Sequence, residues 1–257
     1  MRSLEELIRE QTNLSVTQVA HLQHLASDWQ LIADLSFADL AIWVPIKDSG
    51  FIAMSHVRAA TAATVFPKDF EGEIRADLPS GESVESFPIA FNGQVIAQLN
   101  RHRNPMVTRS LGRLESTYQE IAQQLIEMVG EGTFPFDFAI SSLNPSPRVG
   151  DGFIRLDRSG VIIYASPNGR SAFSRLGWEG ELEGIQLVDV ANGISGESMN
   201  TLTEKISAND VAQVVLESRG GVVELTILPL LKSGLRIGGV VLLHNVTESD
   251  AVNANCY

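Results

Sequence analysis

Five histidines and one cysteine are the residues of this 257-residue sequence best able to hold a metal or attack a substrate. His21 and His24 are three apart, which sets two imidazoles on one side of a helix. A zinc site needs three or four convergent ligands. No third histidine, cysteine or carboxylate constellation accompanies the pair, so they read as ordinary helix-surface histidines. Cys256 stands alone near the end. No disulfide can form within the chain, and no zinc site built on two or four cysteines is possible. A lone cysteine fits a reducing compartment. The sequence holds no Gly-x-Ser-x-Gly elbow, no His-Glu-x-x-His and no Gly-x-Gly-x-x-Gly. Gly234, Gly238 and Gly239 are not followed by the Lys-Ser/Thr of a phosphate-binding loop. A triad dispersed along the chain stays open, because such groups converge only in space.

The charge balance narrows the partners. The net charge is −12, from 19 basic against 31 acidic residues. Nucleic acid and anionic membrane surfaces require a clustered positive field, so neither is expected. One local basic run, Arg101, His102, Arg103, Arg109 and Arg113, reads as a solvated loop leading into a first helical turn. Hydrophobic residues make up 44% and charged residues 19%, the balance of a chain that buries a core. No segment approaches the ~18 consecutive apolar residues of a membrane span. The charged, amphipathic N-terminus has no apolar run suited to a signal peptide. A cytoplasmic location is expected.

The elements that would position these side chains fall into two halves. In the first 35 residues two helices are expected. Ser3 with Glu6 forms one capping box, ahead of Leu4, Leu7 and Ile8. Ser15 with Gln18 forms a second, ahead of Val19, Leu22, Ala26, Trp29 and Ala33. The period then changes to two, giving strands at 38–46 and 51–57 around the turn 47–50. Residues 58–82 are irregular. Strands 86–91 and 94–99 flank Asn92-Gly93, the pair that a type I′ turn favours. Asn104-Pro105 offers an N-cap and a proline for a closing helix. On that helix Leu111, Leu114, Tyr118, Ile121, Leu125 and Met128 form a short heptad seam, suited to packing on a sheet or on a second copy. Residues 133–150, rich in Pro, Ser and Gly, form the expected linker.

The second half opens with a hairpin at 152–157 and 161–165, then Ser166 as N-cap and Pro167 at the first helical position. Gly177 ends that helix. A helix at 197–208 and strands at 211–218, 222–231 and 235–244 complete the set. Five strands with helices on one face make a cup, and Phe153, Tyr164, Phe173 and Trp178 are the candidate lining of a ligand cavity in it. The plainer reading of the same four residues is core.

The run GDGFIRLD, GVIIYASPN, LEGIQLVDV, LPLL and GGVVLLHNVTE resembles a PAS domain. Its close, Asn245-Val246-Thr247-Glu248, is similar to the Asp-Ile-Thr-type ending that feeds an output helix. With WQLIADLSFADLAIWV, IAFNGQVIAQLNRH and LESTYQEIAQQLIEMVGEGTFP, nearly the whole chain resembles the N-terminal GAF-like plus PAS sensor region of actinobacterial cytoplasmic histidine kinases of the PdtaS type. The resemblance implies an α+β chain of two sensor domains, each an antiparallel sheet with helices packed on it. These are a GAF-like domain at 1–132, a linker at 133–150, a PAS domain at 151–248 and a tail at 249–257.

The resemblance also implies a function. The chain would be the sensing module of a two-component system, binding a small ligand of unknown identity and coupling it to a C-terminal output. A homodimer and a response regulator or kinase partner are the implied associates. No histidine here sits in a phospho-accepting box and no ATP-binding domain is visible, so this chain is not expected to be an enzyme. The alternatives are the sensor half of an active histidine kinase and a kinase-derived dimerisation protein without activity. A cysteine-linked flavin would need a cysteine in the PAS helices. Haem would usually need an axial histidine, and residues 178–243 hold none, which leaves the cofactor undefined. Residues 64–83 are shorter than their family counterpart, so the resemblance defines no GAF ligand pocket there.

Overall fold

A computed structural model describes residues 4–105, 112–137, 140–142, 148, 150–195 and 200–246. The chain divides into two compact units, Met1–Pro135 and Phe136–Tyr257. Both are antiparallel five-stranded sheets with helices against them, the mixed architecture that the sequence implies.

The first unit begins with α1 (Leu4–Gln11), α2 (Val16–Asp28) and α3 (Gln30–Ser36). Ser15 and Gln18 form the expected capping box. Ser3 lies outside the described residues. Where one long second helix was expected, the chain turns at Trp29 and runs on as α3, so three helices stand in place of two. Strands β1 (Ala38–Pro45), β2 (Phe51–Val57), β3 (Ile74–Arg75), β4 (Val84–Phe91) and β5 (Gln94–Arg103) follow, in the sheet order β3-β2-β1-β5-β4. Asn92 (φ 49°) and Gly93 (φ 76°) both take the left-handed conformation, as a type I′ turn between β4 and β5 requires.

Two expectations in this unit are corrected. The closing helix α4 (Arg113–Glu131) starts at Gly112, not at Asn104-Pro105. Strand β5 runs on to Arg103, and the Glu115 carboxylate accepts the Gly112 N–H, so the helix is capped eight residues later. The basic run is not a solvated loop either. Arg101 is 3% exposed within β5, where its Nε donates to Glu85 and its Nη2 to Gln123, over the Phe87 ring. Burial there pushes its pKa down, opposed by Glu85. Arg109 lies outside the described residues.

Helix α4 packs on α3 and β4 of its own unit. Ile121, Leu125 and Met128 are fully buried, Tyr118 nearly so and Leu114 half-buried. Leu111 lies outside the described residues. From Tyr118 to Met128 the heptad seam is therefore an inner face of the unit, with Leu114 half-buried at its start.

The second unit carries the 3-10 turn Ile140–Ser142, then β6 (Phe153–Asp157), β7 (Ile162–Ala165), α5 (Pro167–Arg175), α6 (Leu187–Ser195), α7 (Asn200–Ser207), β8 (Ala212–Ser218), β9 (Gly221–Lys232) and β10 (Leu235–Val246). The sheet order is β7-β6-β10-β9-β8. The strands, the Ser166 cap and the Pro167 start agree with the sequence reading. Helix α6 was not foreseen, and α7 covers the described part of the helix expected at 197–208. Thr247 and Glu248 lie outside the described residues.

Ser166 explains why a hairpin feeds directly into a helix. Its hydroxyl accepts the Gly169 N–H at the start of α5 and also the Phe153 N–H at the start of β6, at 3.2 and 3.0 Å. Its own N–H donates to the Phe153 carbonyl. One side chain thus caps the helix and ties it to the strand. The fit at position 169 is close: a Cβ there would lie 3.0 Å from the Phe153 carbonyl oxygen, so a larger residue needs the strand to give by a few tenths of an ångström.

Candidate functional site

Strand alternation decides where the four aromatic candidates go. Ile154 and Leu156 of β6 and Ala165 of β7 belong to the core cluster beneath the helices. Phe153 and Tyr164 therefore face the other side of the sheet, with ring centroids 6.4 Å apart. Phe173 is fully buried beneath α5 among Leu187, Leu225 and Val241, and Trp178 packs against the same cluster. The sheet thus separates the four residues into two pairs. Phe173 belongs to the packed layer between helices and sheet. Trp178 sits at the rim, so close to α6 that a Cβ at Gly193 would lie 2.9 Å from its ring.

A second candidate lies in the first unit and is built by Asp39. This carboxylate, 2% exposed on β1, accepts the N–H of Ala59 at 3.0 Å, the hydroxyl of Thr64 at 2.5 Å and the N–H groups of Val65 and Phe66 at 2.7 and 3.3 Å. Asp34 adds the Ala60 N–H at 2.7 Å. An irregular segment with few partners of its own is thereby fastened over one face of the sheet. That face presents Ala41 and Trp43 of β1, His56 opposite Ala41, and His102 opposite Asp39.

The fastened segment lays Phe66 and Phe70 on this face. His56 stacks on Phe70 at 4.7 Å and meets the Phe66 edge at 5.6 Å. Trp43 stacks on Phe70 at 5.8 Å, and His102 meets Phe66 at 4.9 Å. The Arg75 guanidinium lies 5.3 Å from the Trp43 ring centre. His56 Nε2 reaches Asp69 at 3.2 Å, and Asp69 is also held by Arg58 at 2.8 Å. That Arg58 hydrogen bond holds the exposed Asp69 carboxyl below its ordinary pKa. Burial pushes the His102 imidazole below its ordinary value; Asp39 opposes the shift and Arg75 adds to it.

Three buried ring nitrogens in this cluster lack a hydrogen-bond partner: Trp43 Nε1, His56 Nδ1 and His102 Nε2. Buried polar atoms are normally paired. The nearest acidic oxygen to His56 Nδ1, from Glu71, is 3.8 Å away. The arrangement packs aromatic rings on one another with unpaired ring nitrogens among them. Among the described residues no group of three His, Cys, Asp or Glu side chains could hold a metal. His21 and His24 stay on α2, with His24 3.7 Å from Asp28. Nothing in the sequence singled out Trp43, His56, Phe66, Phe70 or His102 as a site. They come from four separate segments, and the only available signal was histidine at inward positions of β2 and β5.

Three comparisons bear on identity. A family model described as the GAF domain of histidine kinase PdtaS matches residues 4–82. The sensor histidine kinase PdtaS of Mycobacterium tuberculosis is 35% identical over 283 aligned residues, covering 96% of this chain and 56% of that protein. PdtaS of Mycolicibacterium smegmatis is 33% identical over 282, with the same coverage. The chain spans about half the length of these curated relatives. A solved structure described as the sensor region of a sensor histidine kinase superposes with a TM-score of 0.86 at 35% identity, covering 96% of this chain and 99% of that one.

Proposed function

This chain belongs to the PdtaS family of sensor histidine kinases and corresponds to their sensor region, and on that premise we propose that it is the signal-sensing module of a two-component system. The first unit binds a small planar ligand in the aromatic cluster of Trp43, His56, Phe66, Phe70 and His102. The three unpaired ring nitrogens carry this reading, because buried donors and acceptors cost free energy until something completes them.

The second unit, read as a PAS domain, passes the state of the module to the output. Helix α5 ends at Arg175, whose guanidinium donates to Asn245 near the end of β10. The β8–β9 turn packs against the same helix end, leaving no room for a side chain at Gly220. The proposed associates are a second copy of the chain, a response regulator and the cytoplasmic kinase portion, whose autophosphorylation the module controls.

Joining this chain to the kinase portion of the Mycobacterium tuberculosis relative tests the proposal. Autophosphorylation of the chimera is expected to respond to a small-molecule fraction of cell extract, and Trp43→Phe and His56→Phe are expected to blunt the response. A rate indifferent both to the fraction and to these substitutions would overturn it.

A further inference from the structure

The second unit has a cleft of about 240 Å³ outside its packed helix–sheet space, lined by Arg170 and Ser174 of α5 and by the segment from Trp178 to Leu182. Its volume is below the ~300–1,000 Å³ of sites for drug-sized ligands, so it suits a small molecule.

Arg170 is anchored on two sides. Its Nε donates to the Ala165 carbonyl at 3.2 Å and its Nη2 to Glu183 at 2.8 Å. Its Nη1 donates to Glu181 at 2.9 Å, and that side chain is 83% exposed. An ion pair so open to water holds weakly and exchanges readily. The fork is thus fixed in place while its third partner is replaceable, and what replaces a carboxylate most simply is another carboxylate. Trp178 supplies the second requirement. Its Nε1 is buried and has no acceptor, while the far edge of the ring rests on Gly193. An indole N–H can only donate. Trp178 lines the same cleft as Arg170, so a ligand that reaches its Nε1 by a small turn of the ring, as well as the Arg170 fork, carries a carboxylate and a second acceptor oxygen.

We propose that this cleft binds small 2-oxo or 2-hydroxy acids, the carboxylate displacing Glu181 from Arg170 and the neighbouring oxygen accepting from Trp178. Glu181 is then a built-in competitor, and the exposed Glu179 beside it disfavours longer polyanions.

Pyruvate titrated into the purified chain, followed by tryptophan emission at constant ionic strength, tests this. Trp178→Phe supplies the baseline of Trp29 and Trp43. A saturable change is expected with pyruvate, a weaker one with acetate and none with chloride. Glu181→Ala should tighten pyruvate binding roughly twofold to fivefold, the worth of an exposed ion pair. Arg170→Lys, which keeps the charge but loses the fork, should abolish it. No saturable change with pyruvate, or an unchanged or weaker affinity in Glu181→Ala, overturns the proposal. If Arg170→Lys fails to fold, the wild-type and Glu181→Ala titrations, each corrected by the Trp178→Phe baseline, still decide.

Discussion

Replacing Asp39 by Asn asks whether one carboxylate fastens the irregular segment to the sheet. Its two oxygens accept four hydrogen bonds, three of them on Oδ2. An amide of the same shape has one acceptor oxygen. Turned the better way, it keeps three bonds and sets an N–H against the Ala59 N–H. The lost bond to a charged acceptor is worth ~1.5–3 kcal/mol, and the stranded buried donor costs on the order of 1 kcal/mol or more. The sum is about 3 kcal/mol. For a unit of this size that corresponds to a fall in Tm of roughly 10 °C. Thermal unfolding followed by circular dichroism measures it, and Trp43 emission reports whether Phe70 has left its ring. A Tm lowered by less than about 2 °C, with Trp43 emission unchanged, would refute the view that Asp39 holds the segment down.

Gly93→Val should destabilise the first unit by ~1–2 kcal/mol, read as a lower urea midpoint; a Cβ at Gly93 meets nothing within 4 Å, so the effect is one of backbone conformation alone. Ile121→Glu, with or without Leu114→Glu, should unfold the first unit at a cost of roughly 4 kcal/mol or more, because the site is fully buried; a folded variant of lower mass in sedimentation would instead put the seam between copies. Burial lowers the pKa of His21 and His102 from 6.5. Below pH 6.5 the unfolded chain therefore takes up protons first, and stability should fall from there downwards and be flat above. A Tm that rises on acidification through that range contradicts this. Limited proteolysis should cut first between 134 and 149, where Pro and Ser accumulate; early cuts within both halves instead would argue against two separable domains.

Strands and turns were the most legible part of the fold. Asn92-Gly93 specifies its turn by demanding positive φ twice, and Ser166-Pro167 specifies a helix start by local chemistry alone. The closing helix was misplaced because Asn104-Pro105 carries the same local signal, yet β1 recruits residues up to Arg103 into the sheet and Glu115 caps the helix later. Arg101 was misread for a related reason. Its neighbours look like a solvated basic run, but register brings Glu85 opposite it, and that pairing is not visible within one segment. The candidate site was the least legible. Phe153 and Tyr164 are parted from Phe173 and Trp178 by one step of strand alternation, which composition does not show. His56, His102 and Trp43 meet Phe66 and Phe70 only because a buried aspartate, itself unremarkable in sequence, pins the intervening segment.

The pairing of β6 with β10 has a mechanical consequence. Phe153, where the second unit's sheet begins, lies opposite Leu242, four residues before β10 ends, and the two strands are antiparallel. The chain therefore comes in and goes out at the same end of neighbouring strands. A tug on the two ends opens such a ladder rung by rung, like a zipper, and does not load all its hydrogen bonds at once as shear would. Between β6 and β10 the first rungs to feel it are Leu242–Phe153 and Val241–Ile154, next to the Leu243 N–H bond to the Gly152 carbonyl, while residues 243–246 of β10 are also held by β9. A small pull or twist on the outgoing chain is thus absorbed by a few residues at one corner, while the remaining rungs and the apolar layer beneath α5 keep their place.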